Sequence, residues 1–322
     1  MAFPTEDLLE VVELAAIAAA EWTGLGDNEA ADHAAVEAMR ERLGVIDIQG
    51  RVVIGEGERD EAPMLYVGEE FGAGGPDSRA VDIAVDPLEG TNLCAYDRPG
   101  ATAVLAASGR GGLLHAPDIY MEKLIVGAEA REVVHLDAPV ADNIAAIAKA
   151  HQVTVKEMTV VVLERERHKQ LIADLRATGV RVQLIGDGDL SAGLSVAVPG
   201  TGVYAVFGIG GAPEGVLTAA AMRCLGGEIF GRLAPLSASQ EERVRDLQLE
   251  SELDRIYTSS ELASGDEVGF FCAGVTDGPV VRGVRAAGEG HRVHTLVMNS
   301  GVDRLRFVDS IHPFSAYDAT VW

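Results

Sequence analysis

The chain has few cysteines, few lysines and no long apolar run. Its three cysteines, Cys94, Cys224 and Cys272, lie far apart in 322 residues and form no Cys-x-x-Cys pair. This spacing argues against a disulfide framework and a thiolate zinc site, and it suits a reducing compartment. Because no 18-residue apolar run and no basic segment ahead of an apolar N-terminus occur, we expect no membrane span, no secretory signal and a cytoplasmic location.

Positive charge is also scarce. Only four lysines are present, and the formal net charge is −24 at pH 7. Such a surface repels nucleic acid and anionic lipid, so we expect neither as a partner. A phosphorylated metabolite can still bind where metal ions or a few arginines reverse the field locally.

The glycine-rich stretch from Gly208 to Gly215 lacks both the G-x-G-x-x-G spacing and the Walker lysine. A dinucleotide site and a nucleoside-triphosphate P-loop are therefore disfavoured. Pro213 suits a first helical turn, and the glycines expose backbone N–H groups that can cradle an anion. Glu214 either reaches a metal there or is only an acid at a helix start.

What the chain does contain is an alternation of helix and strand patterns. Amphipathic helices are predicted at residues 5–22 and from about residue 27 to 43, and the second half alternates strands with helices. This predicts a mixed α/β protein with partly parallel pairing. We expect residues 1–155 to form a lobe with most metal-binding acids and residues 156–322 a second lobe, both within one catalytic unit.

Carboxylates follow two of the predicted strands. The strand from Val81 is predicted to stop at Asp86-Pro87, which leaves Asp86, Glu89 and Thr91 at its carboxyl end. The strand at residues 51–54 runs into a Gly-Glu-Gly-Glu segment that contains Glu56. If the strands are neighbours, the acids converge and need hard cations among them. The alternatives are a plain turn and a solvated acidic loop.

Polar residues also follow strands in the second half. Arg165 and Arg167 suit phosphate oxygens, unless they only form surface ion pairs with the adjacent glutamates. The turn from Gly186 to Asp189 offers carboxylates to sugar hydroxyls, or is a structural Asx turn. The local sequence by itself favours Asp32 as an acid that complements the helix dipole in the early turns of its helix, and Tyr120 as a core or sheet residue.

Together these motifs resemble the class II fructose-1,6-bisphosphatases, especially the cyanobacterial type that also accepts sedoheptulose 1,7-bisphosphate. The resemblance extends along nearly the whole chain. The segments that carry it are Gly55–Tyr66, Val81–Thr91, Ala116–Met121, Gly186–Asp189 and Gly208–Gly215.

The resemblance implies an α-β-α-β-α layered, inositol monophosphatase-like sugar-phosphatase fold and a divalent metal site for Mn²⁺ or Mg²⁺. It implies hydrolysis of the 1-phosphate of a ketose bisphosphate, in gluconeogenesis or the Calvin cycle, by a homo-oligomer (dimer or tetramer).

Site residues are carried over position by position. The metal-site acids matched are Asp32, Glu56, Asp86, Glu89 and Glu214. Thr91 matches a threonine that positions the attacking water, with Glu89 and Asp86 beside it in catalysis. The substrate-contact positions matched are Glu89, Gly90, Thr91, Tyr120, Arg165, Glu166, Arg167, Asp187, Gly188, Asp189 and Gly211.

Three departures from the family pattern stand out. Asn28 replaces a usual lysine, Glu166 replaces a usual proline, and the loop from Gly72 to Arg79 is shorter. The alternatives that remain are an inositol- or nucleotide-phosphate phosphatase with the same metal core and a catalytically silent sugar-phosphate-binding regulator.

Overall fold

The computed structural model describes residues 4–56 and 65–314. In these residues the helices are α1 (Thr5–Ala20), α2 (Asn28–Gly44), α3 (Thr91–Ala95), α4 (Val140–Ala150), α5 (Lys169–Ala177), α6 (Asp189–Ala197), α7 (Ala212–Leu225), α8 (Ala238–Asp246) and α9 (Ser259–Leu262). The strands are β1 (Ile48–Ile54), β2 (Glu70–Phe71), β3 (Arg79–Glu89), β4 (Thr102–Gly109), β5 (Tyr120–Val126), β6 (Thr159–Leu163), β7 (Arg181–Ile185), β8 (Val203–Gly211), β9 (Glu228–Leu233), β10 (Val268–Gly274), β11 (Arg285–Ala286), β12 (Gly290–Asn299) and β13 (Val302–Pro313).

The chain divides into two compact units. The first combines the residues up to Arg110 with those from Gly269 onward, and the second is continuous from Gly111 to Val268. The boundary at residue 155 suggested by the sequence falls inside the second unit. The first unit is therefore assembled from both halves of the chain.

The first unit contains a sheet with the strand order β11-β12-β10-β4-β3-β1-β2, and β13 pairs with β12. Strands β1 and β3 pair in parallel, with Ile54 opposite Ala84. The two strands that precede the carboxylates are thus neighbours, as the sequence argument required. Because parallel strands end at the same edge, Glu56, after β1, and Asp86, near the end of β3, lie at one edge of this sheet.

Helices α1 and α2 pack against each other and against this sheet. The apolar stripe of α1, including Leu8, Val12 and Ala19, is fully buried in the same cluster as Val85 and Leu105. Helix α2 begins where the sequence placed it, because the Asp27 side chain accepts a hydrogen bond from the Ala30 amide at 3.0 Å. Such an N-cap stabilises a helix by about 1 kcal/mol.

Strand β3 continues beyond the predicted stop at Asp86-Pro87. Asp86 lies opposite Val104 and Glu89 opposite Thr102, so β3 advances three residues while β4 advances two. The extra residue forms a bulge, and Pro87 is tolerated there because a bulge leaves a residue outside the hydrogen-bond ladder. The prediction that the strand ends at Asp86 was therefore wrong.

The second unit contains a sheet with the order β7-β6-β8-β5-β9. Strand β6 pairs in parallel with β7 and β8, whereas β5 is antiparallel to β8 and β9. Helices α4 and α5 bury Ile147 and Leu175 against one face with Leu124, and α6 and α7 pack on the other. Both sheets mix parallel and antiparallel pairs, which confirms the mixed α/β class.

Within residues 4–56 and 65–314, every helix is too short or too polar to cross a bilayer.

Candidate active site

In the first unit, the candidate residues lie in or directly after the last residues of β1 and β3. The backbone of Glu56 is tied across its loop, because its amide donates to the Leu65 carbonyl at 3.0 Å. Gly55 is required at this crossing, since a Cβ there would lie 2.1 Å from the same carbonyl oxygen. Residues 57–64, which make up most of the Gly55–Tyr66 segment, lie outside the described residues.

Asp86 and Glu89 form a close pair of acids at the bulge. Each offers a carboxylate oxygen within 4.8 Å of the other, and Glu89 is only 6% exposed. Two acids at this separation repel each other unless protons or cations lie between them. Among the described residues, neither Asp32 nor Glu56 has a carboxylate oxygen within 4.8 Å of both members of the pair.

Gly90 and Thr91 turn the chain from β3 into α3. Gly90 adopts a left-handed φ of 80°, and its carbonyl accepts from the amides of Leu93 at 2.8 Å and Cys94 at 3.1 Å. The left-handed conformation favours glycine. Thr91 is consequently the first residue of α3, and its half-buried side chain directly follows the acidic pair in sequence.

Asp32 lies in the early turns of α2, which packs against α3 and β3. The loop before α2 is tied to α3, because the Gly24 amide donates to Cys94 and the Gly26 amide to Ala95. Burial raises the pKa of Asp32 above its usual value, although the neighbouring His33 opposes this effect. Asn28, which replaces the family lysine, is the exposed first residue of α2.

In the second unit, one edge of the sheet carries the candidate residues. Strands β6, β7 and β8 are parallel and end at this edge, and the antiparallel β5 begins there, with Tyr120 opposite Gly211. The connections after β6 and β8 lead to opposite sides of the sheet, and ligands bind at such switch points. The residues grouped here are Tyr120, Arg165, Glu166, Arg167, Asp187, Gly188, Asp189, Gly211 and Glu214.

The two arginines at this edge are held differently. Arg167 donates from Nε and Nη2 to the Ile209 carbonyl at 3.2 and 2.7 Å, and its guanidinium lies 4.6 Å from the centre of the Tyr120 ring. Arg165 is half-buried and donates to the Glu164 carbonyl at 3.1 Å. Glu166 points to solvent and pairs with Lys169 at 2.6 Å. In the described part of the chain, neither arginine forms an ion pair with its adjacent glutamates.

His168 is a buried polar residue at this edge that could not be singled out from the sequence. Its Nδ1 lies 2.7 Å from the Leu163 carbonyl, and its Nε2 accepts from the Ile209 amide at 2.8 Å. The ring therefore links the ends of β6 and β8 at the switch point. Burial lowers the pKa of His168, with a further contribution from Arg167, so the neutral ring is favoured. In the sequence this histidine gives no signal beyond its place after a strand.

Lys123 is a second buried residue of this kind in the same unit. Its Nζ lies 2.7 Å from Oδ2 of Asp189, and only 2% of its side chain is exposed. A lysine within the apolar strand Tyr120–Val126 was the available signal, because lysine is almost never fully buried without a partner. Asp189 is the first residue of α6, and Gly188 before it has a left-handed φ of 82°.

Glu214 follows Pro213 in the first turn of α7, which begins directly after the end of β8. Its Oε2 is buried and has no hydrogen-bond partner among the described residues. A Cβ on Gly211 would lie 1.9 Å from this oxygen, so glycine makes room for the carboxylate. Burial raises the pKa of Glu214; Lys123 opposes this effect and Asp189 adds to it. A buried, unpaired carboxylate oxygen suits a bound cation.

Comparison with known proteins gives consistent matches over the chain. The family model for bacterial fructose-1,6-bisphosphatase, glpX-encoded, matches residues 4–312. The D-fructose 1,6-bisphosphatase class 2/sedoheptulose 1,7-bisphosphatase of Synechococcus sp. (strain JA-3-3Ab) is 51% identical over 95% of this chain and 94% of its own length. The protein of the same name from Trichodesmium erythraeum (strain IMS101) is 48% identical over 96% of this chain and 95% of its own length.

A solved structure is also similar. The extragenic suppressor protein SuhB from Bartonella henselae aligns with a TM-score of 0.35 and 13% identity, over 61% of this chain and 73% of that one.

Proposed function

Because the chain belongs to the family of bacterial, glpX-encoded fructose-1,6-bisphosphatases, we propose that it hydrolyses the 1-phosphate of fructose 1,6-bisphosphate to fructose 6-phosphate and phosphate. The chain is accordingly a phosphoric monoester hydrolase that acts on a small sugar bisphosphate. The match along residues 4–312 carries this conclusion, and the acids and arginines at the strand ends supply the required chemistry.

Sedoheptulose 1,7-bisphosphate is the proposed second substrate. Relatives about half identical to this chain bear the names of both activities. Both substrates are ketose bisphosphates that share the 1-phosphate end, so the same site accepts either. Their reactions place the protein in gluconeogenesis or the Calvin cycle.

The family implies dependence on a divalent metal ion, and we propose Mn²⁺ or Mg²⁺. The donors fit a hard cation, because they are carboxylate oxygens, including the close pair of Asp86 and Glu89 and the unpaired Oε2 of Glu214. The proposed ligands are Asp32, Glu56, Asp86, Glu89 and Glu214. When bound, the ion supplies charge neutralisation at the phosphoryl oxygens and acidifies a water molecule.

The chain's own side chains position the reactants. We assign the Thr91 hydroxyl to orienting the attacking water in line with the scissile bond. Arg165 and Arg167 bind the remote phosphate, since guanidinium groups donate to phosphate oxygens in pairs. Tyr120, Asp187 and Asp189 line the sugar. These contacts fix the register of the substrate, and accurate positioning contributes several kcal/mol to such reactions.

A phosphate-release assay tests the proposal. Purified protein with Mn²⁺ or Mg²⁺ should hydrolyse fructose 1,6-bisphosphate, and an inositol monophosphate and a nucleotide monophosphate should be poor substrates. Glu56→Gln and Asp86→Asn should abolish turnover without unfolding the protein. The exposed Asp77→Asn is the matched control in the same unit and should retain activity. Absence of turnover by the unaltered protein, while a reference phosphatase works in the same buffer, contradicts the proposal.

We also infer a cytoplasmic homo-oligomer without nucleic-acid or membrane partners. The net charge of −24 supports the absence of those partners, and Cys94, Cys224 and Cys272 form no disulfide among the described residues. The family resemblance supports a dimer or tetramer. Light scattering coupled to size-exclusion chromatography measures the assembly directly, and a monomeric mass contradicts it.

A further inference from the structure

Lys123 places a positive charge inside the second unit. Its Nζ lies 2.7 Å from Oδ2 of Asp189, and the two side chains are 2% and 10% exposed. Taking both charges out of water is costly, so a buried pair of this kind persists only with close contact between its members. The strand face that carries Lys123 is covered by α6 and α7.

The backbone makes room for this pair at Gly210. A Cβ on Gly210 would lie 1.9 Å from Oδ2 of Asp189 and 3.1 Å from Nζ of Lys123. Any larger residue would displace the Asp189 carboxylate. Gly210 therefore holds the two charged groups against the end of β8, immediately before the segment that leads to Glu214.

Glu214 is the second acid beside the same lysine. Cε of Lys123 lies 3.6 Å from where a Cβ on Gly215 would stand, which places the lysine at the first turn of α7. Oε2 of Glu214 is buried and unpaired among the described residues. Lys123 thus lies beside two carboxylates, and among the described residues its ammonium forms an ion pair with Asp189 alone.

We propose that Asp189 is a positioning residue that holds the Lys123 ammonium away from Glu214 and thereby keeps Glu214 available to a divalent cation. This inference rests on the proposed function, in which Glu214 is a metal ligand. Without the Asp189 charge, the ammonium still lies close enough to Glu214 for its charge to act on that carboxyl group. A lysine paired with Glu214 competes with the metal for the same oxygens.

Mn²⁺ titration of the metal-free protein, followed by the electron paramagnetic resonance signal of free Mn²⁺, tests this inference without substrate. Asp189→Asn keeps the shape of the side chain but removes its charge. We expect it to weaken Mn²⁺ binding by about 10- to 100-fold, the usual effect of changing a residue that supports a metal ligand. The double variant Asp189→Asn/Lys123→Met has no competing ammonium, and its affinity should return to near that of the unaltered protein.

The restored affinity separates competition from structural damage, because a damaged fold would bind weakly in both variants. Gly210→Ala is a second route, since its Cβ displaces the Asp189 carboxylate, and it should also weaken Mn²⁺ binding. Asp137→Asn is the matched control, because Asp137 pairs with Arg232 on the surface of the same unit. It should leave the Mn²⁺ affinity unchanged.

Two results overturn the inference: an Asp189→Asn variant that binds Mn²⁺ as the unaltered protein does, or a double variant as weak as the single one. Both are distinct from failure of the proposed function, which shows as an unaltered protein that binds Mn²⁺ but does not hydrolyse the bisphosphates.

Discussion

A carboxylate oxygen of Glu13 lies 2.7 Å from Nε2 of His312 in the first unit. The other oxygen of Glu13 accepts from the hydroxyls of Thr295 at 3.0 Å and Ser310 at 2.7 Å, and Glu13 is only 2% exposed. Since Glu13 belongs to α1 and its partners to β12 and β13, this cluster ties the first helix to the last two strands. These partners offset the cost of burying the carboxylate.

This pair makes the stability of the first unit depend on pH. The hydrogen bond to Glu13 raises the pKa of His312 above its ordinary value, against the effect of burial. The folded protein thus holds this proton to higher pH than the unfolded chain. The stabilisation is fully present below about pH 6.5, the usual histidine pKa, and is lost as the pH rises through the raised pKa.

Denaturant unfolding of the unaltered protein and His312→Gln at several pH values measures this effect. The difference in unfolding free energy should be largest in mild acid and should shrink as the pH rises. His291→Gln, on the neighbouring strand β12, is the control. A difference that does not vary with pH contradicts the assignment.

His168→Ala should weaken both the second unit and its phosphate site. The change leaves the Leu163 carbonyl and the Ile209 amide without their partner, which costs about 1–3 kcal/mol for each group that stays buried. Arg167 also binds Ile209, so KM for the bisphosphate should rise more than kcat falls. Chemical unfolding and steady-state kinetics measure the two effects. The exposed His135→Ala is the control, and equal effects of both changes contradict this role.

Arg165→Ala should mainly raise KM for bisphosphates. The loss of a charge-assisted hydrogen bond to phosphate is worth about 1.5–3 kcal/mol, or roughly 10- to 100-fold. Arg181→Ala is the control. Arg181 is the first residue of β7, at the edge of the sheet opposite to the one that carries Arg165, and it donates to the Glu157 carbonyl. An unchanged KM for Arg165→Ala removes this residue from phosphate binding.

Gly211→Ala should reduce metal affinity and turnover while the fold is retained. The new Cβ meets Oε2 of Glu214 at 1.9 Å, so the carboxylate must move. Gly186→Ala is the matched control, because nothing lies within 4 Å of a Cβ there. Calorimetric Mn²⁺ titration and circular dichroism compare the two variants. Wild-type affinity in Gly211→Ala would show that Glu214 does not need its present position.

Thr91→Val should lower kcat by about 100-fold or more, the range typical of a lost proton-handling or orienting group. Valine keeps the branched shape, so the start of α3 should be preserved. Thr91→Ser restores a hydroxyl and should recover much of the rate. A valine variant as active as the serine variant is incompatible with a role for this hydroxyl.

The elements around the candidate residues could be predicted from local patterns. The stripe from Leu8 to Ala19 predicts α1, and the apolar run ahead of Asp86 predicts most of β3. The parallel pairing of β1 with β3 was only a condition in the sequence argument, and the structure satisfies it. The bulge at Pro87 could not be predicted, because it depends on the register with β4, which local sequence does not encode.

The buried pair of Lys123 and Asp189 was missed for a related reason. The two residues are 66 positions apart, and their contact depends on how β5, β8 and α6 pack together. A strand pattern shows that Lys123 interrupts an apolar run but not which acid compensates it. In sequence, the second unit is inserted between the two segments of the first unit. This arrangement depends on the pairing of β10 within the first sheet, which is a long-range contact that periodicity does not reveal.

The discontinuous first unit has a consequence for biosynthesis. Residues 111–268 leave the ribosome as one continuous stretch and hold all the partners of their own sheet. Strand β4, by contrast, can pair on one side only with β10, and β10 is translated more than 150 residues later. Until then its apolar sequence Thr102–Gly109 is an open edge of the kind that attracts other chains, so nascent-chain protection should matter most for this strand.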